Sequence, residues 1–140
     1  MKNILIAAAC IAISLSGTAW AAGDTAAGEK IFKKCKACHS IVNGDQVIVK
    51  GGKVGPNLFG VIGRQPGSYE GFKYSKSMKA FGESQDAWTE ELVASFVHDP
   101  KAFLKEHTGD SAAKSKMTFK LKKGGEDVAA YLASLAPMAE

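Results

Sequence analysis

The sequence predicts an all-α domain of about five short helices joined by long loops. Apolar residues recur at helical spacing in several separate windows, and the glycine-rich stretches between them show almost no strand alternation. The size fits one domain: of 140 residues, 46% are hydrophobic and 23% charged, which suits a compact fold and argues against disorder. No internal repeat, low-complexity stretch or interdomain linker interrupts the chain.

The N-terminal residues stand apart from the domain. Met1-Lys2-Asn3 carries one positive charge, residues 4–15 are an almost unbroken apolar run, and Ala19-Trp20-Ala21 follows as a small-x-small site. This pattern predicts an export signal cleaved after Ala21, leaving 22–140 as the domain. An uncleaved anchor is the weaker reading, because the run is shorter than the roughly 20 residues that span a membrane. Lipidation at Cys10 would leave a further apolar segment on the mature chain. Removal of residues 1–21 takes Lys2 and Cys10, so 17 basic residues face 14 acidic ones, a net charge of +3. Arg64 is the only arginine; the lysines bunch at Lys30, Lys33, Lys34 and Lys36 and again at Lys114, Lys116, Lys120, Lys122 and Lys123. Export makes nucleic acid a poor partner for these charges.

The elements follow in order. Asp24 can cap a helix in which Ala27, Ile31 and Phe32 share a face running toward Cys38. From Ser40 to Phe72 the chain is glycine-rich and loop-like, with Val47-Ile48-Val49 the only strand-like fragment. A short helix fits Tyr74 to Phe81. Thr89-Glu90-Glu91 opens another, with Leu92, Val93, Phe96 and Val97 as its apolar face. It stops at Asp99-Pro100, with a further turn or two through Ala102-Phe103-Leu104. Gly109 to Phe119 is loop. Glu126 to Leu135 closes the domain as an amphipathic helix with Val128, Tyr131, Leu132 and Leu135 at i, i+3, i+4 and i+7. Loops of this length in so small a domain need something to organise them, and a large, flat, buried cofactor would do so.

The mature chain keeps two cysteines, in Cys35-Lys36-Ala37-Cys38-His39. Two cysteines in an oxidising compartment ordinarily suggest a disulfide. The histidine that follows changes the argument, because Cys-x-x-Cys-His is the attachment signature of c-type haem. Two thiols three residues apart reach the two vinyl groups on one porphyrin edge, and the next residue then lies beneath the iron. A thioredoxin-like redox pair would sit near a βαβ pattern, which is absent here. A zinc site would need two further paired ligands, and His98 and His107 are too far apart for such a pair. For the sixth iron ligand the mature chain offers Met78, Met117, Met138, His98 and His107. Met138 lies two residues from the end. Met78 and His98 fall on or beside helices, where a methionine is more often core filler. Met117 lies in a loop flanked by lysines, and position alone puts it only modestly ahead.

The mature chain resembles the class I cytochromes c, and within them the cytochromes c2 of purple photosynthetic and related bacteria. The resemblance is carried by the Cys35–His39 motif, by 55–64 (Gly-Pro-Asn-Leu-Phe-Gly-Val-Ile-Gly-Arg) and by Gly71-Phe72-Lys73-Tyr74-Ser75. It continues through Trp88-Thr89-Glu90-Glu91, Asp99-Pro100, Lys116-Met117-Thr118-Phe119 and 127–132, in family order. The resemblance implies the class I cytochrome c fold wrapped around one haem c held by two thioethers. It implies His39 and Met117 as iron ligands, an arrangement that raises the redox potential. The Pro56 carbonyl is expected to hold the second ring nitrogen of His39. Arg64, Tyr74, Trp88 and Ser115 are expected at the haem propionates, which need donors once partly buried. Gly28, Phe32 and Tyr131 match the family's contact between first and last helices.

Two departures accompany the resemblance. Many relatives carry tyrosine where this chain has Phe96, so a hydroxyl that can hydrogen-bond the axial sulfur is absent. The segment from Glu106 to Lys114 is also longer than in mitochondrial relatives. With both axial positions filled, iron has no open site for substrate, so the expected function is one-electron transfer by a periplasmic monomer rather than catalysis. The implied donor is a cytochrome bc1-type complex, and the implied acceptor a photosynthetic reaction centre or a terminal oxidase. Lys33, Lys34, Lys36, Lys116, Lys120, Lys122 and Lys123 are the expected docking cations for acidic partners. A haem enzyme or gas-binding protein is the alternative, and it requires Met117 to be off the iron or easily displaced. An extracytoplasmic dithiol oxidoreductase is a third reading.

Overall fold

The computed structural model describes residues 22–135. The expected export signal and Met138 lie outside the described residues. Five helices form: α1 (Thr25–Phe32), α2 (Lys76–Ser84), α3 (Glu90–His98), α4 (Pro100–Thr108) and α5 (Gly125–Ser134). A small antiparallel hairpin, β1 (Ile41–Asn43) and β2 (Gln46–Val49), adds the only sheet among the described residues.

Local chemistry sets the helix starts. Asp24, Ser75, Thr89 and Asp99 each accept a backbone N–H of the first turn, from Ala27, Met78, Leu92 and Ala102 respectively. Pro100 then occupies the first turn of α4, where its missing N–H costs nothing. This start explains why α4 runs nine residues to Thr108 rather than one or two turns. It ends at Gly109, whose φ of 68° is the left-handed conformation that suits a helix stop. Acidic Glu90 and Glu91 sit in the first turn of α3 and favour its positive dipole end.

The hairpin is the main difference from the expected loop-like segment, with Val47-Ile48-Val49 as its only strand-like fragment. Val42 pairs with Val47 and Asn43 with Gln46 across a two-residue Gly44-Asp45 turn, with an irregularity between Ile41 and Val42. Gly44 has φ 56°, open to glycine. Ile41 is fully buried and Val47 half exposed, so the hairpin rests one residue in the core.

α1 and α5 pack together, α3 packs on α5, and α4 packs on α2 and α3. A Cβ on Gly28 would overlap the Asp127 carbonyl and press within 2.8 Å of Tyr131 Cβ, so only glycine allows this crossing. One residue-turn on, the Phe32 and Tyr131 rings meet at 5.7 Å, tilted by 55°. A side-chain contact completes the junction: the Asp24 N–H donates to Asp127 Oδ1 at 2.8 Å. A second cluster joins the other helices, with Phe81 against Trp88 at 5.3 Å and Phe103 at 5.0 Å, and Phe96 against both Trp88 and Phe103. Between these two clusters the long loops enclose a cavity. Among the described residues no helix is long and apolar enough to cross a membrane.

Candidate functional site

The cavity has a volume of about 330 Å³. Its walls are largely apolar, built from Phe32 of α1, Leu58 and Val61 of the central loops, Val93 and Phe96 of α3, and Val128 and Leu132 of α5. Cys35, Cys38, His39, Pro56, Arg64, Tyr74, Trp88, Ser115 and Met117, nine residues spread over the length of the domain, all line it.

The Cys35–His39 wall is a backbone construction. Beyond α1 the chain turns: the Cys35 N–H donates to Phe32 O at 2.8 Å, and the Cys38 and His39 N–H groups return to Cys35 O at 3.1 and 3.0 Å. The loop after β2 closes over this turn through Gly52 N–H to Lys36 O (2.9 Å) and Gly55 N–H to Cys38 O (2.8 Å). Gly55 then lies directly against the imidazole. A Cβ there would overlap His39 Cε1 and come within 2.6 Å of Nδ1. His39 Nδ1 lies 2.8 Å from Pro56 O. A carbonyl only accepts, so Nδ1 carries the proton and Nε2 keeps a free lone pair. Burial pushes the His39 pKa down, only partly opposed by that carbonyl, so the ring stays neutral and able to ligate. Burial pushes the half-buried Cys35 thiol up to about 11, with Lys34 opposing. A reactive dithiol enzyme needs the reverse, a lowered thiol pKa.

Asn57, to which the sequence assigned no role, ties this wall to the hairpin. Its side chain accepts from the Val42 N–H at 3.0 Å and the Phe59 N–H at 3.1 Å, and donates to Val42 O at 2.8 Å. Arg64 extends the same network, donating from Nη2 to Asn57 O at 3.0 Å and from Nη1 to Phe59 O at 3.3 Å. Its guanidinium also lies over the Tyr69 ring, 4.9 Å from the centroid. Arg64 and Trp88 are locked side by side by reciprocal backbone bonds, Trp88 N–H to Arg64 O (2.9 Å) and Gly63 N–H to Trp88 O (2.8 Å). Burial lowers the Arg64 pKa and raises that of Tyr74; the charge interaction between them partly offsets both shifts. The only arginine is thus fixed at the cavity wall beside a tyrosine and an indole.

The Met117 wall is a loop with exposed neighbours. The Met117 N–H donates to Ser115 Oγ at 3.1 Å. Upstream, the Lys114 N–H donates to Ser77 Oγ at 3.0 Å, and the Lys116 ammonium donates to Lys73 O. Downstream, the Leu121 N–H donates to Val97 O at 2.7 Å, and Lys120 pairs with Asp99. Met78 also lines the cavity, but it is 9% exposed and packed within the core from α2. The histidines fall elsewhere. His98 borders a separate hollow of about 260 Å³ with Lys122 and Lys123, and His107 stacks on Phe103 at 3.8 Å.

All seven expected docking lysines are exposed. Lys34 and Lys116 reach the cavity itself. Lys116, Lys120 and Lys122 also have protein partners, Lys122 only at 3.5 Å from His98 O. Val54, which the sequence did not single out, and Phe119 of the Lys116–Phe119 motif are exposed apolar residues on the cavity lining. The donor set fits a covalently attached haem: two thiols, a neutral imidazole with a free nitrogen, a thioether on a separate loop and apolar walls.

No protein-family model matches the chain. It is similar to cytochrome c2 of Rhodobacter capsulatus, 58% identical over 136 residues that span 96% of this chain and 98% of that protein. The solved structure of Rhodobacter capsulatus cytochrome c2 aligns with a TM-score of 0.78 and 62% identity, covering 80% of this chain and 97% of that one. Ferric cytochrome c-550 of Paracoccus versutus aligns with a TM-score of 0.79 and 53% identity, covering 82% and 99%.

Proposed function

This chain belongs to the cytochrome c2 group of the class I cytochromes c, and from that premise we propose that it carries single electrons in the periplasm, from a cytochrome bc1-type complex to a photosynthetic reaction centre or terminal oxidase. Its five helices have the class I cytochrome c fold, and it is an electron carrier with one covalent haem c, not an enzyme. When bound, the haem supplies an iron that alternates between ferrous and ferric.

The residues divide the remaining tasks. Cys35 and Cys38 hold the group through thioethers. His39, its ring oriented by the Pro56 carbonyl, would ligate the iron through Nε2, and Met117 would ligate it through its thioether sulfur. Phe32, Val61, Phe96 and Leu132 keep water out, so little rearranges when charge changes. Arg64, Tyr74 and Trp88 supply donors and positive charge for the propionates; Ser115 is placed to assist. Phe96 contributes packing but no hydroxyl toward the Met117 sulfur. The exposed lysines steer acidic partners toward the Lys34 and Lys116 side of the cavity.

The observation that supports this reading most is that one apolar cavity gathers the Cys35–His39 motif and Met117 from chain positions about 80 residues apart. Stopped-flow oxidation of the reduced protein by purified reaction centre and by terminal oxidase tests the partner assignment. One of the two should oxidise it rapidly, with a rate that falls steeply as salt rises. A slow reaction with both, or a rate flat in salt, would contradict the proposed docking.

A further inference from the structure

Lys120 belongs by sequence to the docking cations, yet its geometry gives it another task. Its ammonium lies 2.7 Å from Asp99 Oδ2, the one ion pair among the described residues. The other carboxylate oxygen of Asp99 accepts the Ala102 N–H at 3.1 Å and caps α4. Asp99 is also the residue at which α3 ends. The pair therefore ties the chain three residues beyond Met117 to the end of α3, the helix that supplies Val93, Phe96 and Val97 to the cavity, where α4 begins.

Among the described residues no hydrogen bond of Thr118 or Phe119 holds this stretch. Thr118, Phe119 and Lys120 are all exposed, with Thr118 and Phe119 on the cavity lining, and buried Leu121 is the next residue packed in the core. Three residues allow the chain to reach about 10 Å. Without an anchor at Lys120, the first fixed point after Met117 is the bond from the Leu121 N–H to Val97 O. The Lys120 ammonium, and next the Ala102 N–H, hold the Asp99 carboxyl below its ordinary range, so the pair is ionised.

We propose that Lys120 is a positioning residue, which with Asp99 latches the trailing end of the Met117 loop to the α3–α4 junction and so resists displacement of Met117 from the iron. The inference rests on the assignment of Met117 as axial ligand. Loss of the latch makes the iron more accessible to an added ligand without removing the methionine.

Imidazole titration of the ferric holoprotein tests this, using Lys120→Ala, Asp99→Asn and the double variant. Asparagine keeps the cap on α4 and removes only the charge. An exposed pair of this kind is worth a small factor, so imidazole affinity should rise about two- to fivefold in each single variant. The double variant should rise no further than the larger single one, because both changes remove the same interaction. Lys120→Arg should restore the wild-type affinity. Unchanged affinity in Lys120→Ala, or effects that simply add, would overturn the latch. If the wild-type ferric protein lacks the far-red absorption of a thioether on iron, the assignment of Met117 fails instead. Amide exchange at Leu121 then still decides the latch: faster exchange in Lys120→Ala supports it, and unchanged exchange refutes it.

Discussion

The two sides of the cavity are held in place by different means. Around His39 the anchors are backbone groups: Cys38 and His39 fold back on Cys35 O, Gly55 bonds Cys38 O, and Pro56 O fixes the imidazole. The imidazole lies so close to Gly55 that this residue has no room for a side chain. Around Met117 the anchors are mostly side chains on the surface: Ser77 Oγ, Lys116 and the Lys120–Asp99 pair. Partly buried backbone bonds cost more to break than an exposed ion pair, which is cheap. The His39 side is therefore held more firmly than the Met117 side.

This contrast can be broken most severely at the thiols. Cys38→Ala removes one thioether, and mass spectrometry of the purified protein should show attachment impaired, with at most one covalent bond to the haem. Retention of two thioethers would refute the motif reading. The next effect in size tests the tightness of the fixed side. Gly55→Ala forces a methyl group into the His39 ring and should cost about 1–3 kcal/mol in denaturant unfolding, in the range typical of overpacked sites. A cost below about 0.5 kcal/mol would show that this wall yields as readily as the other. The smallest effect is the latch itself, where Lys120→Ala changes imidazole affinity by a few fold while leaving global stability nearly untouched.

Much of this architecture was legible in the sequence, for physical reasons. The helix caps at Asp24 and Thr89 are local chemistry, and α1, α3 and α5 follow from apolar spacing. The Gly28–Tyr131 crossing entered only through the resemblance, because a close approach between distant segments leaves no local pattern. The hairpin is half legible: Val47-Ile48-Val49 stands out, and Gly44-Asp45 is a two-residue turn signal that pairs it with the chain before it. The length of α4 was likewise available in Asp99-Pro100, a cap followed by a first-turn proline. The side-chain network of Asn57 and the Tyr69 face under Arg64 were not legible, since both depend on loop geometry. Lys120 shows the same limit: sequence places it in a run of lysines, and only the fold brings Asp99 to it.

Everything proposed for the Met117 loop depends on Met117 rather than another residue ligating the iron. Ferric far-red absorption, compared across wild type, Met78→Ala and Met117→Ala, tests it directly. Both methionines line the cavity, so the two variants discriminate where lining does not. The account predicts the thioether-to-iron band in wild type and Met78→Ala. In Met117→Ala the band should vanish, the potential should fall and the ferrous protein should bind carbon monoxide. A band that survives in Met117→Ala would contradict it.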